Sequence, residues 1–221
     1  MGMAHASDVD LLVLLALRLR TLADVETVAA ASGLTVDEAG EALRRLGTDG
    51  LVRSREGRVS GWMLTAAGRD VCGAELAAEL DAAGVRDRVV GAYVRFLGVN
   101  QPLLDLCTRW QIRTTDGDDV VNDHTDASYD AAVLAGLVEV DGTAQAVCRE
   151  LGDSLARFDS YGPRLAAARA ATERGEPDWL TRPTIDSYHT VWFELHENLL
   201  ASLGRERGDE ALAPSSLQEA R

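Results

Sequence analysis

The sequence predicts a mostly α-helical protein in which three helices and a two-stranded hairpin precede an all-helical C-terminal region. Apolar residues make up 46% of the 221 positions and recur at helical spacing along most of the chain. Aromatic residues account for only 5%, so leucine, valine and alanine must form most of the core. Helical spacing gives way to strand-like alternation after Asp49-Gly50, which places the hairpin there.

The first three helices carry recognisable start and stop signals. Asp8 is a suitable N-cap for a first helix with a leucine-rich apolar face, and a second helix is expected over about residues 22–32. Gly33 suits the left-handed residue of a tight turn, and Thr35 with Glu38 three residues later forms a capping box for the third helix. The third helix is expected to face inward with Val36, Ala39, Leu43 and Leu46.

A hairpin is expected directly after the third helix. Residues 51–53 form a short first strand, Glu56-Gly57 a tight turn, and residues 58–64 an alternating second strand, after which Thr65 caps another helix. Two strands around a tight turn, placed after a helix-turn-helix, make a wing. The sequence therefore predicts a winged helix-turn-helix domain over residues 1–70.

Residues 31–69 resemble the winged-helix domain of bacterial MarR-like regulators, and the frame DGLV…G…LT..GR is the most specific part of that resemblance. The resemblance covers about a third of the chain and implies a homodimer that binds DNA. In such domains the third helix enters the major groove and the wing tip meets the backbone. The residues expected to contact DNA are the arginines of the third helix and the wing: Arg44, Arg45, Arg53, Arg55 and Arg58.

The charge balance supports a competing interpretation. The formal net charge is −14, whereas phosphate contacts supply much of the affinity of DNA-binding proteins. Residues 1–72 carry eight arginines against ten acidic residues, so the acid lies mainly in the C-terminal two-thirds. The third helix also carries Asp37, Glu38 and Glu41, which phosphate would repel. In this interpretation the arginines pair with the acids and solubilise a protein-interaction module.

The C-terminal region is predicted to be a helical ligand-sensing and dimerisation domain over residues 71–207, with a disordered tail over 208–221. The polar segment 113–119 is expected to form a loop, and so is the segment 175–183 with its two prolines. Helices are expected at residues 66–82, 86–96, 101–107, 126–135, 144–158, 162–174 and 184–203.

Two segments of this region, residues 107–130 and 182–200, are dense in polar and aromatic side chains. One interpretation makes them the walls of a small-molecule pocket, with Trp110 and Tyr129 as stacking surfaces. The residues expected to bind the ligand are Trp110, Asn122, Asp123, His124, Tyr129, Tyr188, His189, Trp192 and His196. In the other interpretation, the residues around Asn122 only brace and cap the helix that follows Asp126.

The second segment places His189, Trp192, Phe193 and His196 on one helical face. Two histidines on one face suggest a metal site or acid–base chemistry. Metal-binding helices, however, usually present two ligands three or four residues apart, and those positions are aromatic here. The favoured interpretation is a packed helix whose imidazoles hydrogen-bond to buried groups, so no metal ligand, catalytic residue or cofactor is predicted.

The same two segments resemble stretches of actinobacterial proteins that occur alone or appended to proteins related to pyruvate phosphate dikinase. The resemblance covers about half the chain and implies association with phosphoenolpyruvate- or pyruvate-related machinery. This chain lacks the ATP-grasp and phosphohistidine parts of that enzyme, so no catalytic residue is carried over.

Three functions remain open from the sequence. The first is a regulator that binds DNA and senses a small metabolite, the second an accessory module that binds a protein partner, and the third an enzyme with a His/Asp/Glu site in the helical region. Cys72, Cys107 and Cys148 lack disulfide or zinc-ligand spacing. The chain shows neither a signal peptide nor an apolar run of membrane-spanning length, and a soluble, cytoplasmic protein is expected.

Overall fold

The computed structural model describes residues 4–58, 60–115 and 117–205 and is mostly α-helical, as predicted. The chain divides into two compact units. The N-terminal unit comprises His5–Arg86 with the described residues from His196 onward, and the second unit comprises Asp87–Leu195. The helix after the hairpin thus groups with the N-terminal unit, although the sequence prediction places the boundary after residue 70. The predicted tail over 208–221 lies outside the described residues.

Three helices open the N-terminal unit: α1 Val9–Arg20, α2 Val25–Ser32 and α3 Val36–Thr48. The predicted caps are confirmed. The Asp8 side chain accepts from the Asp10 N–H, Gly33 has a φ of 70°, and Thr35 and Glu38 form both bonds of a capping box.

The inward face of α3 consists of Ala39, Ala42, Leu43 and Leu46, all buried. Val36 is 48% exposed, so its predicted inward position is wrong. Side chains tilt toward the N-terminus of their helix, which carries the side chain of the first helical residue past the surface that covers α3.

The hairpin consists of β1 Val52–Arg55 and β2 Gly61–Leu64, paired antiparallel with Val52 opposite Leu64. Helix α4, Ala66–Ala82, follows. A single bridge between Ala23 and Trp62 adds the α1–α2 connection to this small sheet. A Cβ at Gly61 would lie 2.8 Å from the Ala23 carbonyl oxygen, so this pairing excludes any side chain there.

The second unit contains helices longer than predicted. Its elements are α5 Arg86–Gln111, β3 Ile112–Thr115, β4 Asp118–Val121, α6 Ala127–Ser154, a 3-10 helix Ala156–Phe158, α7 Tyr161–Glu173, α8 Asp178–Thr181 and α9 Tyr188–Leu203. Helix α5 runs through Pro102 and joins two predicted helices. Buried Phe96, Leu103, Leu106 and Trp110 continue one apolar face across that proline, so tertiary burial outweighs the local penalty.

The prediction that the C-terminal region is all-helical is wrong, because β3 and β4 form an antiparallel hairpin where a polar loop was expected. Thr115 pairs with Asp118, which leaves a two-residue connection with the sequence Asp116-Gly117. Asp-Gly is a preferred dipeptide for the two-residue turns that connect hairpin strands, so the sequence carried a hairpin signal here. The acidic residues of the segment obscured the β-branched pattern of Ile112, Val120 and Val121.

Helix α6 is the single helix among the described residues that is long and apolar enough to cross a membrane. Its apolar positions form part of the core of the second unit: Val133, Leu137, Val140, Ala144, Val147 and Leu151 are buried. Core helices of globular proteins share this length and composition.

Candidate functional site

The β1–β2 hairpin is anchored to the start of α4 through Thr65. The Thr65 hydroxyl lies 2.8 Å from the Gly50 carbonyl oxygen and 3.0 Å from that of Leu51, and it accepts from the Gly68 N–H at 3.0 Å. A Cβ at Gly68 would lie 2.0 Å from the Leu51 oxygen. The LT..GR part of the sequence frame therefore has a packing reason, since only glycine permits this approach of α4 to β1.

Four of the five arginines predicted to contact DNA are exposed and have no ion-pair partner among the described residues. Arg44 lies on α3, Arg53 and Arg55 on β1, and Arg58 in the turn. None of their guanidinium groups forms an ion pair or hydrogen bond with another residue that the structure describes. Arg45 differs, because its Nη2 lies 2.6 Å from Asp10 Oδ1 on α1 and this pairing raises its pKa.

Among the acidic residues of α3, Glu38 has hydrogen-bond partners at the start of the helix. Glu38 Oε2 accepts from the Thr35 N–H at 2.9 Å and from the Thr35 hydroxyl at 2.7 Å. These bonds, chiefly that of the side chain, lower the pKa of Glu38. Asp37 and Glu41 remain exposed on the outer face of α3, next to Arg44 along the helix.

In the second unit, Asn122 organises the first of the dense segments. Its Nδ2 donates to the Trp110 carbonyl oxygen at 3.1 Å and to Asp130 Oδ1 at 2.9 Å, and its Oδ1 accepts from the His124 N–H at 3.3 Å. The amide is buried, and its two N–H groups are both used. Asn122, which directly follows β4, is therefore hydrogen-bonded both to the end of α5 and to the first turn of α6.

His124 is held in an unusual conformation beside Trp110. Its φ is 59°, a left-handed value that adds strain of about 1–2 kcal/mol for a residue other than glycine. Its ring lies 4.5 Å from the Trp110 ring, between centroids, and Nδ1 lies 2.9 Å from Asp130 Oδ2. Because a carboxylate only accepts, Nδ1 carries the proton of this bond, and Nε2 has no hydrogen-bond partner among the described residues.

A cavity of about 330 Å³ opens beside this pair. Trp110 closes one side and donates from Nε1 to the Pro177 carbonyl oxygen at 3.0 Å. The cavity is lined by Trp110, His124, Ala127, Asp130, Ala131, Leu134, Thr172, Glu173, Gly175 and Pro177. A second cavity of about 230 Å³ shares Trp110, His124 and Pro177 with it.

Asp123 and Tyr129 belong to the first segment but do not line the larger cavity. Asp123 is exposed and accepts from the Thr125 N–H and hydroxyl. The Tyr129 hydroxyl donates to the Arg109 carbonyl oxygen at 2.9 Å, and the Arg113 guanidinium lies 4.9 Å from its ring centroid. Asp123 thus stabilises the loop before α6, whereas Tyr129 connects the start of α6 to the end of α5 and to β3.

The second dense segment lies elsewhere, in packed helical contacts. The buried Tyr188 hydroxyl donates to Asp141 Oδ1 at 3.1 Å, and burial raises the pKa of this phenol. Trp192 stacks on Phe96 at 4.3 Å and donates to Asn100 Oδ1 at 2.9 Å. His196 is buried and His189 half-buried, and neither lines a cavity shared with Trp110 and His124.

Two acids of the second segment, Asp186 and Glu194, bind an arginine of α7. Arg164 on α7 forms bonds of 2.9 and 3.0 Å with the two Glu194 oxygens and bonds of 3.0 and 3.2 Å with those of Asp186. The described residues contain no group of three or more metal-ligating side chains suited to a metal ion. All three cysteines are buried, and burial raises the pKa of Cys107 to about 12, as it does for Cys148.

Sequence reasoning missed Asp130, Glu173 and Pro177, which line the larger cavity with Trp110 and His124. Asp130 lies six residues after His124, in the first turn of a helix whose start was recognised, so its position was a usable signal. Glu173 and Pro177 come from α7 and the following loop, and only the fold brings them there. The chain matches no family model, curated protein or solved structure in comparisons with known proteins.

Proposed function

We propose that this protein is a cytoplasmic transcription regulator, in which α3 and the β1–β2 hairpin act as a winged helix-turn-helix and the second unit senses a small molecule. The observation that carries the proposal is the set of exposed, uncommitted arginines at one hairpin: Arg53, Arg55 and Arg58. A guanidinium without an internal partner is available for phosphate, which it recognises with two parallel hydrogen bonds.

The packing of α3 supports a role in the major groove. All apolar residues of α3 except Val36 are buried on one side of the helix. The polar residues therefore lie together on the opposite, exposed side. Arg44 on that side suits guanine, and exposed Glu41 suits the amino group of cytosine. Arg45 is committed to Asp10 and has a positioning role between α1 and α3.

The resemblance to MarR-like regulators supports a homodimer that binds a two-fold symmetric operator, since each subunit of such a dimer reads one half-site. The sensing role is supported by the cavity beside Trp110 and His124, which combines an apolar wall with a few convergent polar groups.

The test is fluorescence anisotropy of the full chain with DNA from the region upstream of its own gene, against a scrambled duplex, at several salt concentrations. We expect selective binding that weakens with salt. Replacing both Arg55 and Arg58 with Ala should reduce the slope of log K against log salt by about 2. The matched control replaces the exposed Arg88 and Arg149 of the second unit with Ala and should leave the slope unchanged.

Equal binding to both duplexes, or an unchanged slope in the Arg55/Arg58 variant, would contradict the proposal. Absence of binding at low salt would instead favour an accessory module for a protein partner, which the exposed acids Asp37 and Glu41 on α3 would then contact.

A further inference from the structure

We propose that the cavity between Trp110, His124, Asp130 and Glu173 binds a small organic cation, with an ammonium or amidinium group and a compact apolar or aromatic body. The inference specifies the effector of the proposed regulator and to that extent rests on the proposed function. The binding itself can be measured without DNA.

The hydrogen bonds around the cavity leave it with acceptors and few free donors. The side-chain donors that line the cavity are used internally: Trp110 Nε1 donates to Pro177, the Thr172 hydroxyl to the Ala168 carbonyl oxygen at 3.0 Å, and His124 Nδ1 to Asp130. The lining therefore offers mainly acceptors, namely carboxylate oxygens and the His124 Nε2 lone pair. A ligand that fits such a lining must supply the donors.

The charged side chains at the cavity carry a negative excess. Glu173 pairs with Arg169 at 2.6 Å, and Arg169 also lies 3.0 Å from Asp141. With Asp130, this group has three carboxylates and one guanidinium, so negative charge is in excess. A cation at the cavity would reduce this excess, whereas an anion would increase it.

One wall of the cavity is apolar. Ala127, Ala131, Leu134 and Pro177 line the same cavity, and Trp110 contributes an indole ring. Tryptophan is the aromatic side chain that attracts cations most strongly through its face. The volume of about 330 Å³ admits a single small molecule.

The experiment compares three probes of similar shape on the full chain by isothermal titration calorimetry: benzylamine, benzyl alcohol and benzoate. We expect benzylamine to bind about tenfold or more tightly than either other probe, because it alone combines a positive charge with three donors. Benzoate binding as tightly as benzylamine, or no measurable binding of benzylamine, would overturn the proposal.

Variants locate the site. Asp130→Asn and Glu173→Gln should each weaken benzylamine binding about fivefold or more, while Asp153→Asn, an exposed change on the same helix as Asp130, should leave it unchanged. Trp110→Phe keeps an aromatic face and should weaken binding less than Trp110→Ala. Circular dichroism verifies that each variant is folded. If neither acidic substitution weakens binding in a folded variant, the cation site is wrong.

The proposed DNA-binding function and the proposed cation site can each be contradicted without the other. Selective benzylamine binding in a protein that does not bind its upstream DNA would retain the cation site and overturn the regulator. Selective DNA binding by a protein without preference for benzylamine would retain the DNA-binding function and overturn the cation site.

Discussion

The two hairpins of this protein have strands of equal length and different surroundings. Each consists of two antiparallel strands of four residues. The β1–β2 hairpin buries Val52 and Leu64 at its base, pairs with Ala23 and is fastened to α4 at Thr65. The β3–β4 hairpin buries none of its described strand residues, and Val121 is 81% exposed. Burial of strand residues is thus not required to form a hairpin here, and the two hairpins differ in the tertiary contacts that hold them.

The hairpins also carry opposite charge. The first presents Arg53, Arg55 and Arg58 with one acidic residue, Glu56, whereas the second presents Arg113 with acidic residues at positions 116, 118 and 119. Arg113 is moreover paired with Asp126 at 3.1 Å. Of the two, the first hairpin is the one whose charge is suited to a phosphate backbone.

The largest effect should come from breaking the anchor of the first hairpin. Gly68→Ala places a Cβ against the Leu51 carbonyl oxygen and should lower the free energy of unfolding by about 3 kcal/mol, measured by urea denaturation. The control Gly142→Ala lies in α6 with open space around it and should raise stability by about 0.5 kcal/mol. Similar stability of the two variants would contradict the anchor.

Charge reversal tests whether the two hairpins differ in DNA binding. Arg55→Glu with Arg58→Glu should lower the affinity for upstream DNA about 100-fold at low salt, because two phosphate contacts become repulsive. Asp118→Arg with Asp119→Arg moves the same amount of charge on the second hairpin and should change the preference for upstream over scrambled DNA less than about threefold. If both double variants changed the preference for upstream over scrambled DNA by the same factor in the anisotropy assay, the distinction between the hairpins would be wrong.

A smaller effect is expected at the base of the second hairpin. Arg113→Ala removes the guanidinium that lies over Tyr129 and should lower the free energy of unfolding by about 1 kcal/mol. Arg113→Lys keeps the charge without the planar group and should recover only part of this. Thermal and urea unfolding measure both variants, and full stability in Arg113→Ala would show that the hairpin needs no such support.

The smallest expected effect is on the stability of the protein at acidic pH. Hydrogen bonds, chiefly from the Tyr129 N–H, lower the pKa of Asp126, and the Thr35 side chain does the same for Glu38. Each carboxylate therefore stabilises the fold above its unfolded-state pKa, near pH 4, and loses that contribution as the pH falls through its folded-state pKa.

Asp126→Asn and Glu38→Gln should each reduce the loss of urea stability between pH 5 and pH 3. Asp153→Asn removes an exposed carboxylate that forms no described hydrogen bond, and serves as the control. An unchanged pH dependence in both variants would contradict the assigned roles of the two carboxylates.

Sequence reasoning reached the N-terminal unit in detail because its signals are local. Gly33 and the Thr35–Glu38 capping box each specify backbone conformation within a few residues. The tight turn predicted at Glu56-Gly57 is wrong, because the second strand begins at Gly61 and not at residue 58. The same reasoning divided α5 at Pro102 and replaced the second hairpin by a loop. Burial against residues distant in sequence decides the continuity of α5, and a local pattern does not contain it. The second hairpin buries none of its described strand residues, and its local Asp-Gly signal was obscured by the acidic residues around it.

The candidate small-molecule site shows the same limit. The sequence identified Trp110, Asn122 and His124 as unusual, and the structure brings them together with Asp130. It grouped them with Tyr188, His189, Trp192 and His196 by composition, but these residues follow separate packing arrangements.

The sequence by itself determined the helical class, the caps and turns of the first three helices, and the placement of arginines around the first hairpin. Those features depend on the backbone preferences of single residues and on helical and strand periodicity, which neighbouring positions encode. Only the tertiary structure decided that Gly68 must lack a side chain, that Arg45 is committed to Asp10, and that Glu173 and Pro177 complete the cavity at Trp110. These depend on distances between residues far apart in the chain, which are set when the apolar faces of the helices are buried together.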